Sequence, residues 1–442
     1  MVEHALGEKR MGWCSRVTFV LAVATGGLGA QAGSAPEEAL RSLAELGGDA
    51  YVVWRDAVLG DEALLRQVLA VQPRTQEEGW AQRMLQGRAT NRDLYKRSDD
   101  IFRSMEISYY AGRRRGKGQP SPNMGSRSPD TGPLRVPWAM EYLWKFPTVV
   151  NREWRKHLAF EVMGNFGDKS DAIFVIEQAR FHESEAMIDY AVDIALTLGG
   201  QEAYQEIRRR AAGQGAQAAK YRGALDRLVT REASLAQKLR EAIPAADQLY
   251  PLPFYDLATA TNVGILRRLQ LDRWDLDWAR RIALGWWENG VPWRKNTFGM
   301  FASGGQIIGR TSFQEPLPPV VAAKLVRQYK ASDGLEFVPH MIRLLWKWDH
   351  LLDESRKLLL IEMLGGHADA SCAPPLLATL STEGSARVAE GLIILLGAVG
   401  EEATVKRVAN EINWTDVGRE RLARVMQAIA SRTQKTGAQP EN

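Results

Sequence analysis

Cysteine is scarce in this sequence: its 442 residues contain two, Cys14 and Cys372. Cys14 lies in an N-terminal segment that we expect to be removed, so the mature chain would have no intramolecular disulfide. One cysteine also excludes a zinc site made of several thiolates, and no C-x-x-C-H sequence for covalent haem attachment occurs. The fold must therefore be stabilised by packing.

A surplus of one charge is also missing. The 57 Lys and Arg residues nearly balance the 53 Asp and Glu residues, which leaves a formal net charge of +4. So small a surplus favours neither a nucleic acid nor an anionic membrane as a partner. We therefore expect no nucleic-acid function.

No apolar run is long enough to span a bilayer. The N-terminal run from 17 to 28 has about 12 residues, whereas a transmembrane helix needs about 20. Lys9, Arg10 and Arg16 supply the positive charge of a leader, and Ala30-Gln31-Ala32 resembles a signal-peptidase site. We interpret residues 1–32 as a signal peptide. The protein is thus expected to be exported, to the periplasm or outside the cell, without a membrane span after cleavage.

Catalytic, metal-binding and nucleotide-binding motifs are missing as well. The chain contains no H-E-x-x-H pair and no G-x-S-x-G elbow. The Gly-rich stretch 299–309 matches neither G-x-x-x-x-G-K-[ST] nor G-x-G-x-x-G. We expect no cofactor and no metal, and we interpret His157 as a packing or surface residue.

The chain does contain a repeated helical pattern between Arg152 and Ala212. Apolar residues recur there at steps of three and four, and a glycine-containing turn separates the two helices of each copy. Residues 32 positions apart match: Ala159 with Ala191, Val162 with Ile194, Phe166 with Leu198, Gly167 with Gly199, Val175 with Ile207 and Ala179 with Ala211. Such hairpins bury their apolar faces only against neighbouring hairpins.

The same spacing recurs between Ser355 and Ser431. The matching pairs are Leu360 with Leu392, Ile361 with Ile393, Leu364 with Leu396, Gly365 with Gly397, Leu376 with Val408 and Leu380 with Ile412. A spacing that recurs so far along the chain predicts a repeat protein.

These hairpins resemble HEAT-type helical repeats, in the short bacterial form also seen in bilin-lyase-like repeat proteins. The resemblance implies an all-α fold in which stacked hairpins form an α-α superhelix. It also implies binding or scaffolding, which is what most of that class does, and it carries over no catalytic residue. Pro374-Pro375 departs from the pattern by beginning a second helix.

The pattern predicts seven segments. They are a signal peptide (1–32), an N-terminal helical region (33–111), a linker or mobile loop (112–133), a repeat block (134–244), a Trp-rich helical segment with a long Gly-rich loop (245–349), C-terminal repeats (350–431) and a disordered tail (432–442).

The Trp-rich segment interrupts the repeats and allows three interpretations. It holds seven of the fourteen tryptophans, Asp275 is expected to cap a helix that runs to Glu288, and a loop is expected from Gly290 to about Pro319. The tryptophans can fill the core between two repeat blocks. They can form an exposed platform for a glycan or peptide. They can also surround a catalytic carboxylate pair.

We therefore expect a non-catalytic binding or scaffolding protein that holds a protein partner on the repeat surface or the Trp-rich segment. The expected ligand-binding residues are Trp278, Trp286, Trp287, Trp293 and Arg294. The alternative is a carbohydrate-binding or glycan-hydrolysing α/α protein, in which Asp275, Asp277 and Glu288 would be catalytic.

Overall fold

The computed structural model describes residues 35–91, 133–146, 153–182, 184–245, 255–301, 337–347, 349 and 352–437. These residues form seventeen α-helices and two short 3-10 helices, with no β-strand among them. The all-α prediction is thereby confirmed. The predicted signal peptide, residues 112–132 of the predicted linker and residues 302–319 of the predicted Gly-rich loop lie outside the described residues. No described helix has the length and apolar character needed to cross a membrane.

The chain divides into two compact units, Met1–Leu228 and Val229–Asn442. The helices of the first unit are α1 (Ala35–Glu45), α2 (Gly48–Gly60), α3 (Glu62–Ala70), α4 (Gln76–Thr90), α5 (Val136–Lys145), α6 (Glu153–Phe166), α7 (Asp171–Ala179), α8 (Glu185–Ala211) and α9 (Ala216–Ala245), in which the division falls. Those of the second unit are α10 (Val263–Arg268), α11 (Trp274–Phe301), α12 (Val338–Lys347), α13 (Glu354–Leu364), α14 (Ala373–Thr382), α15 (Ala386–Val399), α16 (Glu402–Ala409) and α17 (Asp416–Gly437).

Side-chain caps explain where several helices begin. The carboxylate of Asp61 accepts hydrogen bonds from the backbone N–H groups of Ala63 and Leu64 at the start of α3. Asp353 caps α13 and Ser385 caps α15 in the same way. These oxygens satisfy N–H groups that lack a partner within the first turn of a helix.

In the second unit, each of the helices α12 to α15 packs on the helix two positions further along the chain. Helix α13 packs on α15 and α15 on α17, while α12 packs on α14 and α14 on α16. In the first unit, α6 and α7 both pack on α8. Buried leucines, isoleucines and valines fill the contacts, among them Leu360, Leu392, Leu396, Val405 and Val408, all fully buried. Successive hairpins therefore cover one another locally.

One of the four predicted glycine turns differs from expectation. Gly167 follows the end of α6 and Gly365 follows the end of α13, as expected. In the predicted turn Leu198-Gly199-Gly200, α8 breaks at Gly200, whose φ of 52° and ψ of −126° suit glycine. Helix α15 runs through Gly397 and ends before Gly400. A Cβ at Gly397 would lie 2.7 Å from the Cβ of Ala428, so this glycine lets α15 and α17 approach closely and does not form a turn.

The predicted boundaries are also wrong at three helix ends. Helix α11 continues through Gly290 to Phe301, although a loop was expected from Gly290. A glycine inside a helix costs about 1 kcal/mol relative to alanine, which a long helix can absorb. Asp275 lies in the first turn of α11 and not at its cap. Helix α17 extends to Gly437, so the expected tail is helical over its first residues.

The two units repeat one sequence. Nine residues of 153–172 are identical to those found 201 positions later: Glu153/Glu354, Arg155/Arg356, Lys156/Lys357, Leu158/Leu359, Glu161/Glu362, Gly164/Gly365, Asp168/Asp369, Ser170/Ser371 and Ala172/Ala373. Helices α5 and α12 both begin with Val-Pro and end with Leu-Trp-Lys. Helices α4 and α11 share Trp80/Trp278, Ala81/Ala279, Arg83/Arg281 and Gly87/Gly285. The Trp-rich segment is therefore the counterpart of α4 and α5, and not an insertion.

Equivalent contacts accompany the matching residues. Asp168 accepts hydrogen bonds from the N–H and hydroxyl groups of Ser170, and Asp369 does the same with Ser371. In the first unit, Lys220 donates to the carbonyl oxygen of His182 at 2.7 Å. In the second, Arg421 donates to the carbonyl of Glu383 at 2.6 Å. We call residues at matched positions of the two units counterparts.

Candidate functional site

Trp278 is a core residue. Its side chain is 2% exposed, and its indole N–H donates to the carbonyl oxygen of Ser371 at 3.0 Å. Its counterpart Trp80 is also buried and contacts the rings of Trp144 and Phe174. This tryptophan fills the core of each unit, as the first of the three interpretations predicts.

The other predicted ligand-binding residues are partly described. Trp286 is half-buried and stacks on Tyr255, with ring centroids 4.2 Å apart and planes 6° from parallel. Trp287, beside it on α11, is half-buried as well. Trp293 and Arg294 lie on the last part of α11, where the side chains are outside the described residues.

The three carboxylates of the catalytic alternative are held by different arginines. Asp275 pairs with Arg273, Asp277 with Arg280 and Arg281, and Glu288 with Arg267. Asp277 and Glu288 are eleven residues apart on α11, hence about 16 Å apart along its axis. Carboxylate pairs that cleave glycosides are about 5–9.5 Å apart. The geometry therefore does not favour a pair formed by Asp277 and Glu288, and the carbohydrate alternative stays a prediction.

A buried charge cluster braces the first unit. The carboxylate of Glu141 on α5 accepts from Arg55 of α2 at 2.6 Å and from Arg88 of α4 at 2.5 Å. Lys145 donates to the carbonyl oxygen of Ala44 at 2.6 Å, which satisfies the C-terminal end of α1. Burial lowers the pKa of Lys145 to about 7, and burial followed by the charge of Glu141 raises the pKa of Tyr51. These groups join four helices in the interior, which indicates a structural role.

The cysteine of the described residues is not a candidate nucleophile. Cys372 is 1% exposed, and burial raises the pKa of its thiol to about 11. A thiol that is buried and protonated at neutral pH is inert.

A second group of titratable residues lies where α6 packs on α8. It consists of His157 and Glu161, four residues apart on α6, and Tyr190 and Asp193, three residues apart on α8. We call it the α6–α8 polar cluster. The rings of His157 and Tyr190 meet edge to face, with centroids 4.4 Å apart. His157, Glu161 and Tyr190 are half-buried, and Asp193 is 6% exposed.

Burial and like charge dominate the electrostatics of the α6–α8 polar cluster. Burial raises the pKa of Glu161 to about 7. Burial and then the negative charges of Glu161 and Asp193 raise the pKa of Tyr190. Nearby, burial and the charges of Lys156, Lys220 and His157 lower the pKa of His182 to about 3. Such perturbed groups concentrate at functional sites more often than elsewhere.

The second unit has the same helices without this cluster. The counterparts of His157, Glu161, Tyr190 and Asp193 are Leu358, Glu362, Gly391 and Ile394. Glu362 is exposed, and Ile394 is 65% exposed. Since α13 and α15 pack as α6 and α8 do, the hairpin fold does not require the four polar residues.

The sequence pattern does not predict the α6–α8 polar cluster, and it favours a packing or surface role for His157. The signal that could have found it is the match between 153–172 and 354–373, which shows where the units differ. None of the described residues form a group of three or more His, Cys, Asp or Glu that could hold a metal.

Comparison with known proteins gave no match. No protein-family model fits the chain, and no curated protein or solved structure is significantly similar to it.

Proposed function

We propose that the protein is a non-catalytic binding or scaffolding protein built of HEAT-like hairpin repeats stacked as an α-α superhelix. Contacts between successive hairpins support the repeat. Ion pairs join Lys169 to Glu202, Glu354 to Arg387 and Glu390 to Arg424, at separations of 33, 33 and 34 residues. A repeat that contacts its neighbours in this way presents an extended surface suited to a protein partner.

The observation that carries the proposal is the α6–α8 polar cluster. At three of its four positions, those of His157, Tyr190 and Asp193, the counterpart unit has apolar or small residues, so the cluster is an addition to a fold that forms without it. Buried polar groups cost free energy. A protein partner that contacts the cluster would explain its presence in one unit.

Capture of partners by the whole protein tests the binding role. The double variant Tyr190→Gly/Asp193→Ile gives the first unit the residues of the second. We expect it to recover at least about tenfold less partner from the native cell envelope than the wild type does, as loss of a charge-assisted contact predicts. The matched control Ile394→Ala, on the counterpart helix, should recover as much as the wild type. Equal recovery by the double variant contradicts the proposal.

We also propose that the protein is exported. The apolar run 17–28 and the Ala30-Gln31-Ala32 site support this. The purified native protein should begin at Gly33, as measured by intact mass and N-terminal peptide sequencing. A native chain that retains residues 17–32 contradicts the proposal.

A further inference from the structure

We propose that the α6–α8 polar cluster binds a primary alkylammonium group, such as the side chain of a lysine in a protein partner. This inference rests on the proposed binding function and names the chemistry that the site would recognise. The ligand is a cation with an apolar stem, and its charge would lie at the carboxylate of Glu161.

The carboxylate of Glu161 is the first reason. It is half-buried, and no hydrogen bond or ion pair reaches it from any described residue. A carboxylate held partly out of water is stabilised only when a proton or a cation compensates its charge. Lys156, on the same helix, contacts Nδ1 of His182 with its Nζ at 3.4 Å. Glu161 is thus a negative group whose counter-charge is not among the described residues.

The neighbours of Glu161 select the sign of the ligand. The charges of Glu161 and Asp193 both act on the Tyr190 hydroxyl, so two carboxylates lie near it and would repel an anion. The rings of Tyr190 and His157 lie beside this charge and can contact the apolar stem. An aromatic face also attracts a cation.

The second unit gives a matched comparison. Glu362 is the counterpart of Glu161, but it is exposed and stands beside Leu358 and Gly391. Neither aromatic ring nor the second carboxylate has a counterpart there. Glu362 is solvated, so a bound ammonium would gain little from it.

Titration of the full-length protein with N-acetyl-lysine amide tests the inference, with the Nε-acetylated form as the uncharged probe. At pH 8 the wild type should bind the charged probe saturably with a millimolar dissociation constant, as expected for a ligand of this size. Glu161→Gln should weaken binding by roughly tenfold or more, because it removes a charge-assisted hydrogen bond. Glu362→Gln should bind as the wild type does.

Several outcomes overturn the inference. They are equal binding by Glu161→Gln, equal binding of the acetylated probe and no saturable binding by the wild type. Circular dichroism confirms that each variant is folded, and Tyr190→Gly, which introduces the counterpart residue, replaces Glu161→Gln if that variant does not fold.

The partner-capture experiment separates this inference from the proposed function. If the double variant loses its partner while the wild type binds no lysine derivative, the ammonium assignment is wrong and the binding function stands. If the lysine derivative binds and the double variant still captures its partner, the cluster is an ammonium site and the binding function proposed for it is wrong.

Discussion

At the scale of single residues, Glu161 and Glu362 show how surroundings change one side chain. Both lie on helices that share an E-x-R-K-x-L sequence, at matched positions. Packing of α6 on α8 half-buries Glu161, whereas Glu362 faces solvent. Burial raises the pKa of Glu161 to about 7 because the charged form loses hydration. The structure therefore predicts a pH effect that belongs to one of the two glutamates.

We expect the stability of the wild type to fall as pH rises through the range set by Glu161. Its pKa is about 7 in the folded protein and near the ordinary 4.5 in the unfolded chain. Between these values the folded state binds the proton more strongly, so it loses about 3 kcal/mol of relative stability as pH increases. His157, Tyr190 and Asp193, the other members of the α6–α8 polar cluster, are the same in the wild type and in Glu161→Gln.

Urea unfolding of Glu161→Gln and the wild type measures this effect. The two proteins should be similarly stable near pH 4.5, and the variant should be the more stable one at pH 8. Glu362→Gln should follow the wild type at every pH. Parallel pH profiles for Glu161→Gln and the wild type would show that Glu161 titrates normally.

Glu141 should be a stability residue. Glu141→Gln removes the charge that compensates Arg55 and Arg88 in the interior of the first unit. Breaking a buried ion pair by changing one partner costs about 3–5 kcal/mol. The free energy of unfolding in urea measures the loss. Glu62→Gln, which breaks the exposed pair of Glu62 and Arg66, should change stability by no more than about 0.5 kcal/mol. A similarly small change in Glu141→Gln contradicts the bracing role.

At the scale of elements, α8 depends on the glycine at its break. Gly200 has φ of 52°, whereas its counterpart Glu401 has φ of −104°. Gly200→Ala should destabilise the protein by about 2 kcal/mol, because an L side chain is strained in that conformation. Gly60→Ala is the control: nothing lies within 4 Å of a Cβ there, so that change should be neutral or stabilising. Thermal unfolding of both variants compares them, and a neutral Gly200→Ala contradicts the strain.

The helical hairpins followed from periodicity, but several boundaries did not. Apolar residues at steps of three and four fix a helix face, and they predicted α6, α7, α13 and α15. The pattern predicts a turn at Gly397, but a glycine can also let two helices approach, and the neighbouring Ala428 shows that it does so here. The pattern likewise predicts the start of a loop at Gly290, where the helix continues.

The candidate site was less accessible to sequence reasoning than the fold. Glu161 has a raised pKa because α8 packs over it and partly buries it, and that burial depends on residues about thirty positions further along the chain. The pattern predicts the tryptophans of the Trp-rich segment as ligand-binding residues, but aromatic residues occur both in cores and on binding surfaces. Trp278 is buried, which one sequence alone could not decide.

Positively charged side chains of one helix also donate hydrogen bonds to the carbonyl groups at the C-terminal end of another helix. Lys220 of α9 donates to the carbonyls of Arg180 and His182, which follow α7. Arg421 of α17 donates to the carbonyl of Leu380 in the last turn of α14 and to that of Glu383, which follows it. Carbonyls at a helix end lack partners within the helix and carry partial negative charge. A lysine and an arginine thus fulfil one role at counterpart positions.

At the scale of the whole molecule, the match between the two units predicts that a substitution in one unit speeds amide hydrogen exchange in that unit alone. Arg421→Met should speed amide hydrogen exchange in α14 by roughly tenfold or more and leave α7 unchanged, and Lys220→Met should do the reverse. In repeat proteins each module is stabilised by its nearest neighbours, so opening stays local. Hydrogen exchange followed by mass spectrometry tests both variants. Equal acceleration in both units by either variant would show that the molecule opens as a whole.

Because Cys372 is buried, its thiol can report when the helices of the second unit separate. If the leader is removed, its thiol is the last one in the protein, and it becomes reactive only when the helices around it separate. The rate at which a small alkylating reagent labels it would therefore time the opening of that half without any engineered probe. The first unit has Asp171 at the counterpart position, so the reagent would not label it.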